Sequence, residues 1–189
     1  MTRGYTLKKR AAQQAETRRR IVEAAVALHG TVGPAQTTIS MIAERAGVQR
    51  HTLYAHFPDE RGLFLACSGH VFERDPLPDA EAWRGIQESG ERLRAGLTAI
   101  YAWYERNAEM TACVLRDAEY HPLTREVQMM RAGPVLQSYR EVLGNGLKPG
   151  QHAMLALALS FHTWRVLASE AQLKPSAAAE LMVQAIEKA

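Results

Sequence analysis

Apolar residues recur along this chain with a helical period and almost nowhere with the alternation of a strand. In a first helix over about residues 15–30, Ile21, Ala24, Ala25 and Leu28 fall at i, i+3, i+4 and i+7 and form one apolar stripe. Gly33-Pro34 ends that pattern. A second, short helix is predicted after Thr37 or Thr38, either of which can cap it, with Ile39, Ile42, Ala43 and Ala46 as its stripe. Gly47 then turns the chain into a third short helix from about Gln49 to His56, with Leu53 and Phe57 as its inward pair. Pro58-Asp59 closes this unit, and Asp59 is placed to cap a fourth helix running to about Arg74.

Asp75-Pro76-Leu77-Pro78 reads as a stiff linker, because each proline discourages helix at and before itself. Beyond it the pattern predicts helices at about 79–107, 109–118, 122–143, 151–172 and 176–188. They are separated by His121-Pro122, Gly144-Asn145-Gly146, Pro149-Gly150 and Lys174-Pro175, and Gly133-Pro134 is expected to kink the third of them. The fold class is therefore all-α.

Two short helices joined by a glycine turn, Thr38–Ala46 and then Gln49–His56, form the helix-turn-helix arrangement. Such a turn sets the second helix across the first, so that a small three-helix core presents it to a major groove about 12 Å wide. From Val48 to Phe57 there is no acidic residue. Arg50 suits a bidentate contact to guanine and Gln49 one to adenine, while Thr52 offers a methyl and a hydroxyl. Tyr54 and His56 suit backbone phosphates. The alternative is a helical hairpin in an unrelated core. Charge favours DNA: the net charge is only +3, but residues 1–20 hold seven basic residues, Arg3, Lys8, Lys9, Arg10, Arg18, Arg19 and Arg20, against Glu16. Residues 76–189 hold 12 basic and 13 acidic residues. A local phosphate-binding surface explains that asymmetry, and a solvated basic tail is the plainer alternative.

The run Thr38-Ile39-Ser40-Met41-Ile42-Ala43-Glu44-Arg45-Ala46-Gly47-Val48, then Thr52-Leu53-Tyr54-Ala55-His56-Phe57-Pro58 and Leu63-Phe64, resembles the DNA-binding domain of the TetR family of repressors. Arg18-Arg19-Arg20-Ile21 fits as well, and the resemblance covers about residues 17–64. It implies a helix-turn-helix DNA-binding domain with a basic N-terminal arm over 1–58, joined to a larger helical ligand-binding and dimerisation domain over 59–189. It also implies DNA contacts from Thr38, Ser40, Gln49, Arg50, His51, Thr52, Tyr54 and His56. Glu60 stands where many relatives have Lys, and Arg61 is expected to take over that phosphate contact. The expected partners are a double-stranded operator and a second copy of the chain, with an unidentified small-molecule inducer.

The resemblance further implies a ligand cavity enclosed by the central helices. The candidates for it are Tyr101, Trp103, Tyr104, Cys113, Arg116, Met129, Phe161, His162 and Arg165, since rings stack, methionine adapts and arginine pairs with an anion. The plainer alternative has the aromatics as ordinary core, with Arg116 and Arg165 paired to Asp117, Glu119 or Glu170. For the dimer, Ala153, Ala156, Leu157, Ser160, Trp164, Ala178, Leu181, Met182 and Ala185 offer small and apolar surface.

An enzyme is not expected. Gly144-Asn145-Gly146 lacks a preceding strand and the third glycine of a nucleotide fingerprint. His152 and His162 fall roughly 80° off a shared helical face, and His51 and His56 are five apart, so no metal and no cofactor is expected. Cys67 and Cys113 make no metal-spaced or disulfide framework. No apolar run reaches about 18 residues and no signal-peptide apolar region opens the chain, so a cytoplasmic protein away from membranes is the expectation.

Overall fold

Among the described residues every regular element is helical. The computed structural model describes the backbone of residues 2–189, with side chains from Lys8 onward. The side chain of Arg3, counted above in the basic segment, lies outside the described residues. The elements are α1 (Thr2–His29), a 3-10 turn (Pro34–Gln36), α2 (Ile39–Ala46), α3 (Arg50–His56) and α4 (Glu60–Arg74). They continue with α5 (Glu81–Arg84), α6 (Ser89–Arg106), α7 (Ala108–Ala118) and α8 (Pro122–Gly144). α9 (Pro149–Ala158), α10 (Phe161–Ser169) and α11 (Pro175–Glu187) complete the chain.

Two compact units emerge. The first comprises Met1–Pro76 and Ala112–Gln128, the second Leu77–Thr111 and Met129–Ala189. That division differs from the expected boundary between 58 and 59. α4 packs on α1 and so belongs with the first unit, which also takes in most of α7 and the start of α8. The stripe predicted for α1 is buried at Ile21, Ala24 and Ala25, against Ile42, Ala43, Leu53, Phe57, Leu63 and Phe64. Each large aliphatic or aromatic side chain so buried contributes about 1.5–3 kcal/mol.

In the second unit α6 packs along α11, which also meets α9 and α10. Leu93, Leu97, Ile100 and Tyr101 bury against Leu143, Leu155, Ala178, Val183 and Ile186. Two helices predicted as continuous are broken here. The 79–107 stretch divides into α5 and α6 because buried Arg92 donates to the Ile86 and Gln87 carbonyls (2.7 and 3.2 Å) and to the Asn145 carbonyl (2.6 Å). Those bonds hold the intervening chain out of helix. The 151–172 stretch divides at Ser160. Tyr101 donates to the Ala158 carbonyl and Tyr104 to the Leu159 carbonyl, both at 2.8 Å, taking up acceptors a continuing helix would use. Ser160 then caps α10 by accepting from the His162 N–H (3.2 Å). The Gly133-Pro134 step lies inside a single helix, α8. No described helix is long and apolar enough to cross a membrane.

Candidate nucleic-acid interface

The geometry of α3 begins with its connections. Thr38 is the N-cap of α2 and its hydroxyl oxygen accepts from the Met41 N–H at 3.2 Å. Gly47 closes α2 at φ 64°, ψ 41°, a left-handed conformation that costs glycine nothing and other residues more. The Val48 N–H reaches back to the Ala43 carbonyl (3.0 Å) and the Gly47 N–H to that of Glu44 (3.1 Å), completing the helix end. α3 then starts three residues later. Its Leu53 and Phe57 are buried, as predicted, so the rest of the helix turns outward. At its far end Arg18 of α1 donates to the His56 carbonyl (2.9 Å) and stacks its guanidinium 4.0 Å over the Phe57 ring. One side chain thus satisfies the carbonyl end of α3 and covers its anchor.

The residues singled out for DNA lie on the outside of this frame. Thr38, Ser40, Gln49, Arg50, His51 and Tyr54 are exposed, while Thr52 and His56 are half-buried. All belong to the first unit. Thr38 uses its oxygen as an acceptor, which leaves its O–H to donate outward. Arg61 is already engaged: its Nε and Nη2 each lie 2.8 Å from Glu126 Oε1 in an exposed pair. Exposed pairs of this kind contribute about 0–1 kcal/mol, so the engagement is weak. Asp59 caps α4 through the Gly62 N–H (2.6 Å), as its sequence position predicts. The basic N-terminal stretch is not uniformly available. Arg19 is held by Glu16 and Glu23, both at 2.6 Å, which raises its pKa.

The role of Arg18 in holding α3 was missed among its basic neighbours, although a signal for it existed. Arg18, Ile21, Ala25 and Leu28 share one helical spacing, so Arg18 lies at the exposed end of the stripe that packs inward, within reach of α3. A second undetected anchor is Asp117. Its fully buried carboxylate accepts from the Ala35 N–H (2.8 Å), Arg116 Nε (2.8 Å) and the Tyr120 hydroxyl (2.9 Å). Burial raises its pKa, but those three donors outweigh it and leave the carboxyl below its usual value. Arg116 Nη2 also donates to the Val32 carbonyl (2.9 Å). The plainer alternative for Arg116, an ion pair with Asp117, is thus what the structure contains.

The remaining residues expected around a ligand are divided between the two units. Cys113 and Arg116 belong to the first unit, Cys113 Sγ lying 3.7 Å from the Gly30 carbonyl. Tyr101, Trp103, Tyr104 and Phe161 belong to the second and pack as core with Trp164, the Tyr104–Phe161 and Phe161–Trp164 ring centroids both 5.4 Å apart. The tyrosine hydroxyls are spent on the carbonyls at the α9–α10 break, and burial pushes that of Tyr104 up to about 12. His162 and Arg165 are exposed on α10 and Met129, 62% exposed, lies on α8. Cys67 is buried and burial pushes its thiol up to about 12, which makes it unreactive.

Comparison with known proteins accords with this geometry. Residues 21–67 match the family model described as bacterial regulatory proteins, tetR family. Over 89 residues, 46% of this chain and 40% of the relative, the chain is 37% identical to the HTH-type transcriptional regulator SrpR of Pseudomonas putida. Over 128 residues, 66% of this chain and 61% of the relative, it is 27% identical to the HTH-type transcriptional repressor KstR of Mycolicibacterium smegmatis. The aligned stretches thus span less than two-thirds of either regulator. Among solved structures, NalD of Pseudomonas aeruginosa, described as the secondary repressor of the MexAB-OprM multidrug efflux pump, superposes with a TM-score of 0.65 at 22% identity. That likeness covers 94% of this chain and 96% of NalD and establishes a shared fold. A regulator from Rhodococcus sp. RHA1 gives 0.63 at 20% identity, over 91% and 94% of the two chains. Residues 21–67, which carry the helix-turn-helix, thus match the tetR family of bacterial regulatory proteins, and nearly the whole chain shares the fold of NalD.

Proposed function

We propose that this protein is a transcriptional repressor that binds a pseudopalindromic operator as a dimer and is released by a small apolar ligand. The observation that carries the DNA-binding part is the outer face of α3. It has no acidic residue, presents Gln49, Arg50, His51 and Tyr54 to solvent, and is fixed at one end by the Gly47 turn and at the other by Arg18. A rigid helix carrying base-reading side chains is what major-groove readout requires. One such short helix reads too few base pairs for operator specificity, so two are placed on a two-fold axis. Release follows if a ligand binds better to a state whose two α3 helices are mis-spaced, lowering operator affinity by that difference. Similarity to proteins described as repressors supports the sign of regulation.

The test is selection of genomic DNA fragments retained by the purified protein. The expected result is one enriched motif with two-fold symmetry and half-sites about 10 bp apart or a multiple of that. Affinity for it is expected in the nanomolar range. Recovery of fragments without any shared motif overturns the repressor reading.

A further inference from the structure

α1 is one helix from Thr2 to His29, yet the first buried side chain on it is that of Ile21. The described side chains ahead of it, Lys8 to Arg20, are exposed except for half-buried Thr17. At 1.5 Å per residue that stretch is about 20 Å of helix with nothing buried on it. Its only apolar residues are Ala11, Ala12 and Ala15, so it has no stripe for a second helix or a lipid interior to cover. A helix this short is marginal in water without packing. This one is composed largely of strong helix formers and braced by the Glu16–Arg19 and Arg19–Glu23 pairs, both at 2.6 Å.

Residues 8–20 hold six basic residues against Glu16. Two of the six are committed, Arg18 to the His56 carbonyl and Arg19 to Glu16 and Glu23. Among the described residues no carboxylate pairs with Lys8, Lys9 or Arg10, since Glu16 is taken by Arg19. Arg10, Gln14 and Arg18 fall at i, i+4 and i+8 and make one ridge along α1. The Arg18 end of that ridge meets the end of α3. The unpaired cations therefore continue outward from the helix that presents Gln49, Arg50, His51 and Tyr54. Such a row complements a duplex, which carries one negative charge per roughly 1.7 Å of its axis. We propose that residues 8–14 of α1 lie along the sugar–phosphate backbone of the duplex beyond the bases that α3 reads, with Lys8, Lys9 and Arg10 on phosphates and Gln14 beside them. The contact lengthens the bound site without adding sequence preference, because phosphates carry no base identity. It rests on the DNA-binding reading and extends it outside the helix-turn-helix.

The test compares the full chain with Lys8→Gln/Lys9→Gln/Arg10→Gln, which keeps helix-forming residues at three exposed positions. The Kd is measured against salt concentration for the selected operator and for a scrambled duplex of equal length. The variant's logarithmic salt slope is expected to be shallower by about 2–3 per bound subunit, and its affinity lower by at least about tenfold on both duplexes at low salt. In hydroxyl-radical footprinting, wild type is expected to protect backbone outside the half-sites, and the variant to lose that protection while keeping the half-sites. Gln14→Lys, a gain that misfolding cannot imitate, is expected to tighten binding to both duplexes by about threefold or more. An unchanged slope or footprint in the triple variant, or no tightening by Gln14→Lys, overturns the proposal. A loss confined to the operator makes the three residues base readers and overturns the backbone assignment. Lost binding to phosphatidylglycerol vesicles with both DNA slopes unchanged assigns them to a membrane surface and overturns it too. If no motif is selected, the repressor reading falls, while the slope on the scrambled duplex still decides this contact.

Discussion

At the scale of single residues, two kinds of arginine share the first unit. Arg50 is exposed on α3 with no acidic neighbour on that face, free to reach a base edge. Arg50→Ala is expected to cost about 1–3 kcal/mol of operator affinity and to relax preference at one base position, checked by fluorescence anisotropy against single-base operator variants. Arg18, though itself exposed, is tied down: its bond to the His56 carbonyl and contact with Phe57 hold α3. Arg18→Ala is expected to weaken binding to all sequences alike and lower the melting temperature. His29 gives a pH signature of a third kind. Its folded pKa of about 4 lies below the ordinary 6.5, so the unfolded chain binds the extra proton between those values. Stability from this residue is therefore full above pH 6.5 and is lost as pH falls toward 4. Asp117, also held below its ordinary 3.8, loses its contribution mainly below that value, so its window meets that of His29 only at the acid end. Urea denaturation from pH 7 to 4 is expected to show a fall in stability that His29→Phe flattens. An unchanged pH slope in that variant assigns the effect elsewhere.

At the scale of elements, most of the first unit was legible because its signals are local. Thr38 and Asp59 cap the helices their positions predict, Gly47 makes the left-handed turn, and Leu53 and Phe57 point inward. The second unit was less legible because its breaks are set by distant partners. Tyr101 and Tyr104 lie 57 and 55 residues from the carbonyls they bind, and nothing near Ser160 announces them. The same bonds explain why an aromatic cluster that reads as a ligand site is used as core. The loop between α1 and α2 is likewise fixed from afar, since Gly33, at φ 101°, faces the side chains of Arg116 and Asp117. A Cβ added at Gly33 would collide with Arg116 Nη2 and Asp117 Oδ2, and that φ is strained for any other residue. Gly33→Ala is expected to destabilise the protein by about 2–4 kcal/mol, read by chemical denaturation. Gly47→Ala, where nothing lies within 4 Å of the added Cβ, is expected to cost only about 1–2 kcal/mol of backbone strain. Equal losses at the two positions would remove the close approach as the cause.

At the scale of the whole molecule, the proposed function calls for a second copy, and the second unit offers a surface for it. Leu157 of α9, Val166 of α10 and Leu181 of α11 are 55%, 49% and 46% exposed, and Ala153 and Ala156 beside Leu157 are exposed too. By contrast Trp164, Ala178 and Met182, named from the sequence for the same interface, are buried within their own subunit. The helices concerned pack on one another, so small residues for close approach and large apolar ones for buried area occur together. Isolated exposed aliphatics need no explanation, but large ones on three packed helices are the pattern of an association surface. In a two-fold interface the same patch of each subunit faces that of the other, so charges introduced on the patch are desolvated against the partner's apolar surface, twice per dimer. Leu157→Glu combined with Leu181→Glu is therefore expected to convert a particle of twice 21.0 kDa into one of 21.0 kDa at micromolar concentration in sedimentation velocity. Because the two half-sites are then bound by unlinked subunits, operator affinity is expected to fall more than about 100-fold. The fold of each subunit, followed by circular dichroism, is expected to persist because neither leucine belongs to the core. A wild-type mass of 21.0 kDa under the same conditions overturns the dimer, and an unchanged mass in the double variant places its interface on another face.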